Sequence, residues 1–408
     1  MQLHDNPLAK LAIVLQCAST GGLRYCLRLA EGLIAQRPDL ELTCYVGTQV
    51  LTVFGEDSVR GKLAGLGIRC RPWPELPSRP ARKRRWYRLM KYHRAQADYA
   101  KWLQHFNEYQ LVFFAWPYSL ECPELNSQIA FIPHDFNYSH FFGALNMAPD
   151  AARQQWEQHS RWLQRAHPIV SSNFIADELS RIFPQVSERA CTIPLARLSD
   201  HDRLPEVAAR SLIESLGIQG EYILSLNNVS YHKNLGQVLG AFHYVRQTHP
   251  HLSLVIAGHN TTGIRGNMNT PWYVDPSEHD ANVLGLGMRT DQEVTALIQC
   301  ARLVINASLY EAGNGSGLDA WALGTPVAMS DIPPFQEHMT TLGVQAELFH
   351  PRCCFQIRDA ILATLNDSPA VASRVAESRE AMARYDWEKV AQHYLAAFDR
   401  MLAKPKAP

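Results

Sequence analysis

Residues 301–337 constrain the fold more than any other part of this 408-residue chain. An apolar run at 303–305 leads into the glycine-rich stretch 313–317, and a Gly-Thr-Pro turn at 324–326 precedes a second apolar run. Strand, flexible loop, helix and strand in this order are typical of an α/β protein that binds a phosphorylated ligand. Glycines let the backbone approach a ligand closely, and the free N–H groups of a helix start attract negative charge.

Two acidic residues flank these glycines, Glu311 before them and Asp319 after them, with seven residues between. This pattern resembles the nucleotide-binding region of the family-4 (group 1) glycosyltransferases, where two glutamates with the same spacing frame the donor sugar nucleotide. The resemblance implies that Glu311 contacts the donor sugar and Asp319 the ribose. It also implies that the pyrophosphate binds the N–H groups around Gly315, Ser316, Gly317 and Leu318. Asp in place of Glu shortens the second arm by about 1.5 Å. The plainer interpretation is a glycine-rich loop that closes a Rossmann-like unit.

A lysine marks the start of a second predicted helix. The run 222–226 predicts a buried strand, and apolar positions at helical spacing follow it, namely Leu235, Val238, Leu239, Phe242 and Val245. Lys233 and Asn234 resemble the family's Lys-Asn element, which implies that both lie in the donor site and that Lys233 pairs with the diphosphate. Relatives usually add an arginine just upstream, and 227–230 contains none. Arg265 and Arg289 are candidates for the second cation. Otherwise Lys233 is an ordinary solvated lysine.

The N-terminal half repeats the strand–loop–helix pattern. A strand at 11–15 and a helix at 23–35 enclose Gly21 and Gly22, which the resemblance places against the donor phosphate across the cleft. A tight strand-to-helix turn is the alternative interpretation. Further strands are predicted at 111–114 and 129–132, and the latter is followed by Pro133, His134 and Asp135. Loops at the carboxyl ends of parallel strands bind ligands in such folds. The resemblance implies a sugar- or acceptor-contacting histidine there, and we predict His134, oriented by Asp135. A structural histidine is the alternative.

The alternation of strands and helices across 215–337 predicts a parallel sheet covered on both faces. A chain of this length without internal repeats is expected to form two domains. The resemblance implies an α/β GT-B fold, in which two Rossmann-like doubly wound domains face each other across a cleft and the last helix crosses back to the N-terminal domain. We predict an N-terminal acceptor-side domain at 1–200, a nucleotide-sugar-binding domain at 201–385, and the return helix and tail at 386–408.

One segment is strongly basic although the whole chain has no net charge. Residues 79–94 contain eight Lys or Arg and no acid. Trp86, Leu89 and Met90 fall on one helical face there. A basic amphipathic helix with aromatic residues is typical of contact with an anionic membrane surface. We therefore predict a membrane or acceptor surface formed by Arg82, Lys83, Arg84, Arg85, Trp86 and Arg88. A solvated helix, or one packed on an acidic patch of the same protein, is the alternative.

The remaining features narrow the setting. The sequence contains no apolar run of the roughly 20 residues that span a bilayer, and its first residues lack a signal-peptide pattern. The nine cysteines lack a CxxC motif, which predicts reduced thiols in a cytoplasmic protein, peripheral on the inner face of the membrane if the basic helix docks there. Without an HExxH or Cys/His cluster we expect no metal and no cofactor other than the sugar nucleotide as co-substrate.

The resemblance implies an enzyme that moves a hexose from a UDP- or GDP-sugar to a saccharide or lipid-linked acceptor. The resemblance implies a retaining, metal-independent reaction in cell-envelope polysaccharide or lipopolysaccharide synthesis, with His134, Lys233 and Glu311 as the catalytic residues. Two other classes stay open. One is a catalytically silent GT-B binding or scaffold protein, and the other is a nucleic-acid-binding module built on 79–94, although no recognised nucleic-acid motif accompanies it. A nicotinamide dehydrogenase is disfavoured because no GxGxxG follows either first strand.

Overall fold

The structure is a computed structural model. It describes the following residues: 8–16, 20–74, 86–117, 120–133, 135–141, 149–199, 202–262, 282–366 and 368–403.

Runs of buried apolar residues form two sheets. The first sheet contains β1 Lys10–Leu15, β2 Glu41–Gly47, β3 Arg69–Trp73, β4 Leu111–Ala115, β5 Gln128–Ile132, β6 His167–Val170 and β7 Cys191–Thr192. The second sheet contains β8 Tyr222–Leu226, β9 Ser253–Ala257, β10 Val283–Gly287, β11 Leu303–Asn306, β12 Val327–Ser330 and β13 Glu347–Phe349. Near-continuous apolar strands are expected where both faces of a parallel sheet are covered.

The strands are paired in parallel throughout the described residues. The first sheet has the order β3-β2-β1-β4-β5-β6-β7, and the second has the order β10-β9-β8-β11-β12-β13. In both sheets the strand order therefore reverses beside the first strand. Ligands bind at such switch points, outside the carboxyl ends of the strands. The order thus directs attention to the ends of β1 and β4 in one domain and of β8 and β11 in the other.

Helices cover both sheets. They are α1 Thr20–Gln36, α2 Thr48–Phe54, α3 Glu56–Gly65, α4 Trp86–Leu103, α5 Asn137–His140, α6 Pro149–Arg165, α7 Asn173–Ile182, α8 Glu206–Ser215, α9 Leu235–Val245, α10 Asp291–Cys300, α11 Gly315–Leu323, α12 Pro333–Leu342, α13 Cys354–Leu365, α14 Pro369–Ala383 and α15 Trp387–Leu402. Across the part of the chain that the structure describes, none of these helices combines the length and apolar composition needed to span a membrane.

Alternation along the strands divides the first core into two layers. Leu11 and Ile13 of β1 belong to one apolar cluster, and Ala12 and Val14 belong to the cluster on the opposite face. The last helix, α15, buries its apolar face in the first of these clusters, through Trp387, Val390, Tyr394, Phe398 and Met401. The C-terminal helix therefore crosses back onto the N-terminal domain, as predicted.

The predicted fold class is confirmed: the chain is α/β, with two Rossmann-like domains. The sequence analysis did not predict β2, β3 or β13. The domain boundaries at 200 and 385 stay a prediction. Residues 193–199, which follow β7 and are called the linker below, run between the two domains. Ala196 and Ser199 of the linker are buried.

Candidate active site

A cleft between the two domains is formed by the loops at the carboxyl ends of the strands. It holds two adjoining cavities of about 450 and 660 Å³, both in the size range of small-molecule sites. The cavities share the wall formed by Gly21, Leu198, Asn228, Lys233, Glu311, Gly313 and Gly315. Loops predicted from distant parts of the sequence therefore meet at one place.

Lys233 lies at the entrance of α9. It ends a short 3₁₀ turn, and Asn234 then takes a left-handed backbone conformation (φ 58°) immediately before the helix. The buried Asn234 side chain donates hydrogen bonds to the carbonyls of Ala307 (3.0 Å) and Pro351 (2.5 Å). Asn234 thus anchors the helix start to the neighbouring loops, and this fixes Lys233 against the cleft.

Lys233 pairs with Glu311 through a hydrogen bond from its Nζ to Oε1, and the side chains are 18% and 13% exposed. The Ser308 hydroxyl donates to the same oxygen at 2.6 Å. Burial alone raises the pKa of Glu311, but Lys233, His232 and Ser308 favour the carboxylate and hold its pKa below the ordinary value. Glu311 is therefore ionised near neutral pH, and two of the three predicted catalytic residues are in direct contact.

The glycine-rich loop delivers α11 to the cleft. The side chain of Asn314 caps this helix and accepts a hydrogen bond from the Gly317 N–H at 3.2 Å, while the Asn314 carbonyl accepts the Leu318 N–H at 2.9 Å. Among the described hydrogen bonds, none uses the N–H groups of Gly315 and Ser316. Gly315 and Ser316 both line the larger cavity. At the start of α11, the N–H groups that could bind an anion are thus its first two, a subset of the four predicted.

Asp319 also lines the larger cavity, but its Oδ1 accepts hydrogen bonds from the linker, from the N–H groups of Leu198 (2.8 Å) and Ser199 (2.9 Å). Burial raises the pKa of Asp319, opposed by these two donors and by Arg24. The ribose contact predicted for Asp319 stays a prediction. The linker contacts were not anticipated.

The N-terminal domain supplies the opposite wall. Gly21 and Gly22, in the first turn of α1, both line the smaller cavity. His134 lies outside the described residues. Its neighbour Asp135 lines the same cavity, and its Oδ1 accepts the Asn137 N–H at 3.1 Å. The predicted glycine pair and the loop after β5 therefore reach the cleft.

Arginines add positive charge on the donor side. Arg289, one of the two predicted cations, lines the larger cavity and lies 3.6 Å from Glu293. Arg265, the other, lies outside the described residues. Arg24 of α1, which the sequence analysis did not single out, lines the same cavity and forms an ion pair across the cleft with Asp291. Two arginines thus face the cavity that Lys233 also lines.

The basic segment is described only in part. The structure does not describe Arg82, Lys83, Arg84 and Arg85. Helix α4 begins at Trp86 and contains Arg88, and the structure describes the backbone but not the side chains of these two residues. Further along α4, Met90 is 58% exposed. The helical conformation agrees with the predicted amphipathic helix, and the membrane contact stays a prediction.

The sequence analysis missed several residues that build the site: Arg24, Asn306, Ser308, Tyr310, Asn314 and the linker. Asn314 had a recognisable pattern, because an asparagine directly before the first residue of a helix is a preferred N-cap. The linker and Tyr310 had none, because their contacts depend on the relative placement of the domains.

Chemically, this arrangement suits an anionic ligand that has a polar, uncharged neighbour. Helix starts, Lys233 and two arginines surround the larger cavity, and the buried Glu311 carboxylate can accept hydroxyl hydrogen bonds. The smaller cavity adds an apolar and aromatic wall that includes Tyr25 and Trp116. The larger cavity suits a diphosphate beside a sugar, and the smaller cavity suits a second, partly apolar substrate.

Comparison with known families finds matches in the C-terminal half. The family model described as "Glycosyl transferases group 1" matches residues 211–389. Glycogen synthase from Mycobacterium tuberculosis is 27% identical over 183 residues, which are 43% of this chain and 42% of the synthase. Alpha-monoglucosyldiacylglycerol synthase from Streptococcus pneumoniae is 31% identical over 176 residues, 40% of this chain and 37% of that protein. The chain thus spans less than half the length of these curated relatives.

A solved structure extends the likeness to both domains. Anabaena HepE, crystallised in complex with UDP and glucose, has a TM-score of 0.65 at 16% identity, with 95% of this chain and 98% of that chain covered. At this level of identity the likeness shows the GT-B fold.

Proposed function

We propose that the protein, whose residues 211–389 match the family model of the group 1 glycosyltransferases, transfers a hexose from a UDP- or GDP-sugar to a saccharide or lipid-linked acceptor. The observation that carries the proposal is the contact between Lys233 and Glu311 inside the cleft, beside the start of α11. A cation and a buried carboxylate in contact match the two chemical demands of a sugar nucleotide, a diphosphate and a ring of hydroxyl groups.

In the proposed reaction the bond between the anomeric carbon and the diphosphate oxygen breaks, and the acceptor oxygen bonds to that carbon. The N–H groups of Gly315 and Ser316, the α1 start at Gly21 and Gly22, and Lys233 stabilise the charge on the leaving diphosphate. Retention of configuration is part of the proposal, and a donor phosphate oxygen then takes the acceptor proton. Glu311 holds the donor sugar, and His134 contacts the sugar or the acceptor.

The donor proposal draws on relatives. HepE was crystallised with UDP and glucose, and glycogen synthase is among the relatives. The acceptor proposal draws on the smaller cavity, with its apolar wall, and on the diacylglycerol named for the streptococcal relative. The exposed Met90 on α4 supports docking of the basic segment on an anionic membrane, where a lipid-linked acceptor in cell-envelope polysaccharide synthesis would lie.

Thermal-shift measurements with UDP, GDP, UDP-glucose and GDP-mannose test donor binding, because a ligand at 100 times its Kd stabilises the fold by about 2.7 kcal/mol. The second step is nucleoside diphosphate release with water or a panel of saccharide and glycolipid acceptors. We expect Lys233→Ala and Glu311→Ala each to lower kcat/KM by well over tenfold while the circular dichroism spectrum persists. Wild-type turnover by both variants would remove the proposed site.

A catalytically silent binding protein is the second candidate, and the occupation of Asp319 by the linker favours it. Such a protein would gain stability from UDP or GDP yet release no nucleoside diphosphate with any acceptor in the panel. If wild type releases nucleoside diphosphate faster than the Glu311→Ala variant, the protein is an enzyme.

A further inference from the structure

The linker is held from both domains at Ser199. Its N–H donates to Asp319 Oδ1 on α11 at 2.9 Å, and its carbonyl accepts from Arg28 Nη2 on α1 at 2.8 Å. The Leu198 N–H shares the same Asp319 oxygen at 2.8 Å. The starts of α1 and α11 both contain glycine and both line the cleft. Two hydrogen bonds, from Arg28 to Ser199 and from Ser199 to Asp319, connect these two helices.

This connection is buried. Ser199 and Asp319 are 3% and 4% exposed, and the Ser199 hydroxyl pairs with the Thr295 hydroxyl of α10 at 3.1 Å. If the linker moved away, the Asp319 carboxylate would lose these two N–H donors. A buried carboxylate left without donors is strongly destabilised. The linker is therefore expected to keep one position relative to α11.

The linker also packs on the glycine-rich loop. A Cβ at Gly313 would lie 2.9 Å from Leu195 Cδ1, and one at Gly315 would lie 3.1 Å from Leu198 Cδ1. Leu198 itself lines both cavities of the cleft. The glycines thus accommodate the linker as well as a ligand, and a shift of the linker would change the shape of the cleft.

We propose that Asp319 and Arg28 are positioning residues, which set the spacing of the two helix starts across the cleft by holding the linker between them. The shorter side chain matters here, because a glutamate at 319 would extend its carboxylate by about 1.5 Å and overrun the linker N–H groups. The catalytic consequence rests on the proposed function, since the spacing determines how well both helix starts contact one diphosphate. A ribose contact by Asp319 is a separate interaction.

The kinetic test separates the linker from the ribose. Hydrolysis of UDP-glucose and GDP-mannose, with water as acceptor, is compared with hydrolysis of their 2′,3′-dideoxyribose forms. We expect Asp319→Ala to lower kcat/KM for the dideoxy donor at least tenfold, since the linker contact is lost whichever donor is bound. Asp319→Asn keeps an oxygen acceptor, and its kcat/KM for the dideoxy donor should be at least threefold higher than that of Asp319→Ala. Two results would overturn the proposal. One is a kcat/KM of Asp319→Ala for the dideoxy donor that equals that of wild type. The other is an equal loss of kcat/KM in Asp319→Asn and Asp319→Ala.

Arg28 allows a second test that changes no residue in the walls of the cleft, because it lines a separate cavity of about 540 Å³. Arg28→Met should lower kcat at least fivefold while the donor KM stays within twofold, since the spacing acts on the leaving group more than on ground-state binding. Arg37→Met is the matched control. It removes an arginine that follows the same helix and pairs with Asp39, and its kcat should stay within twofold of wild type. An unchanged kcat in Arg28→Met would refute the proposal.

Hydrogen exchange of the nucleotide-free protein tests the linker contact without any donor. The amides of Leu198 and Ser199 should exchange at least tenfold faster in Asp319→Ala than in wild type, with Arg28→Met showing a smaller increase at Ser199. Unchanged exchange in both variants would exclude the linker contact. If wild type releases no nucleoside diphosphate with water or with any acceptor of the panel, the proposed function fails, and the exchange rates still decide whether Asp319 holds the linker.

Discussion

At the scale of single residues, the contact between Lys233 and Glu311 determines the charge state of the cleft. Burial disfavours the Glu311 carboxylate, and only its three polar neighbours keep its pKa low. The free energy that this group contributes to folding is therefore present above its unfolded pKa of about 4.3. It is lost as the pH falls through the lower folded pKa. Between pH 5 and 8 the wild-type contribution of Glu311 should be constant.

Lys233→Met removes the counter-ion and leaves a buried carboxylate. At pH 8 we expect the free energy of unfolding to fall by about 2 to 3 kcal/mol, near the lower end for broken buried pairs because both side chains keep some exposure. In this variant the pKa of Glu311 rises, so the deficit should shrink as the pH is lowered from 8 to 5 and the carboxyl takes up a proton. Urea denaturation at several pH values measures it.

The double variant Lys233→Met/Glu311→Gln serves as the control, because it removes both charges. It should recover at least half of the pH 8 deficit and show little pH dependence between 5 and 8. A deficit in Lys233→Met that stays constant over this range would mean that Glu311 does not depend on Lys233 for its charge.

At the scale of elements, the start of α11 depends on one cap. Asn314 is 1% exposed, and its Oδ1 accepts the Gly317 N–H. Asn314→Ala should lower the free energy of unfolding by about 0.5 to 2 kcal/mol, the usual cost of a lost N-cap. It should also lower kcat/KM at least tenfold, because the N–H groups next to the cap would no longer be preorganised toward the diphosphate. Urea denaturation and nucleoside diphosphate release measure the two effects.

Ser368→Ala is the matched control for this cap. Ser368 caps α14 in the same domain by accepting the Val371 N–H at 3.3 Å. Its loss should cost a similar amount of stability, with kcat/KM within twofold of wild type. Equal activity losses in Asn314→Ala and Ser368→Ala would show that activity follows stability alone and that the α11 start has no special role.

Elements were also the level at which the sequence was most informative. The predicted strand 222–226 matches β8, and the predicted strands 11–15, 111–114 and 129–132 differ from β1, β4 and β5 by one residue at one end, because each is an apolar run. β2 and β3 were missed, and of these β3 has little apolar periodicity: Arg69 and Arg71 are exposed and only its last residue, Trp73, is buried. Apolar periodicity therefore could not identify β3, an edge strand that pairs with β2. β2 is buried almost throughout, and it was missed although its sequence is largely apolar.

At the scale of the whole molecule, Tyr310 joins the domains. It precedes Glu311 in the C-terminal domain, yet it is 4% exposed within the apolar cluster of the N-terminal domain. Its hydroxyl donates to Glu178 Oε2 at 2.5 Å and accepts the Phe136 N–H at 3.1 Å. Glu178 also pairs with His140 at 2.6 Å. The residue beside the proposed catalytic carboxylate is therefore anchored in the other domain.

Contacts of this kind could not be predicted from the sequence. Individual strands and helix starts follow from local periodicity and glycine placement, so the positions of Lys233 and Glu311 at loops of the cleft could be inferred. The partners of Tyr310 and Asp319 are 132 and about 120 positions away along the chain. Neither residue type indicates such a partner, because a tyrosine in a loop and an acid in a helix have many ordinary environments. Only the relative placement of the domains selects these pairs.

Tyr310→Phe tests this junction, because it keeps the ring and removes the hydroxyl. Glu178, 2% exposed, would lose a donor. The free energy of unfolding should then fall by about 1 to 3 kcal/mol, the cost of an unsatisfied buried polar group. Urea denaturation followed by tryptophan fluorescence and circular dichroism measures it. Tyr244→Phe, on a partly exposed face of α9, is the matched control and should stay within about 0.5 kcal/mol of wild type. Equal stability of the two variants would mean that the Tyr310 hydroxyl does not stabilise the domain junction. If adding Glu178→Gln to Tyr310→Phe restores part of the free energy of unfolding, the unpaired Glu178 carboxylate is the source of the loss.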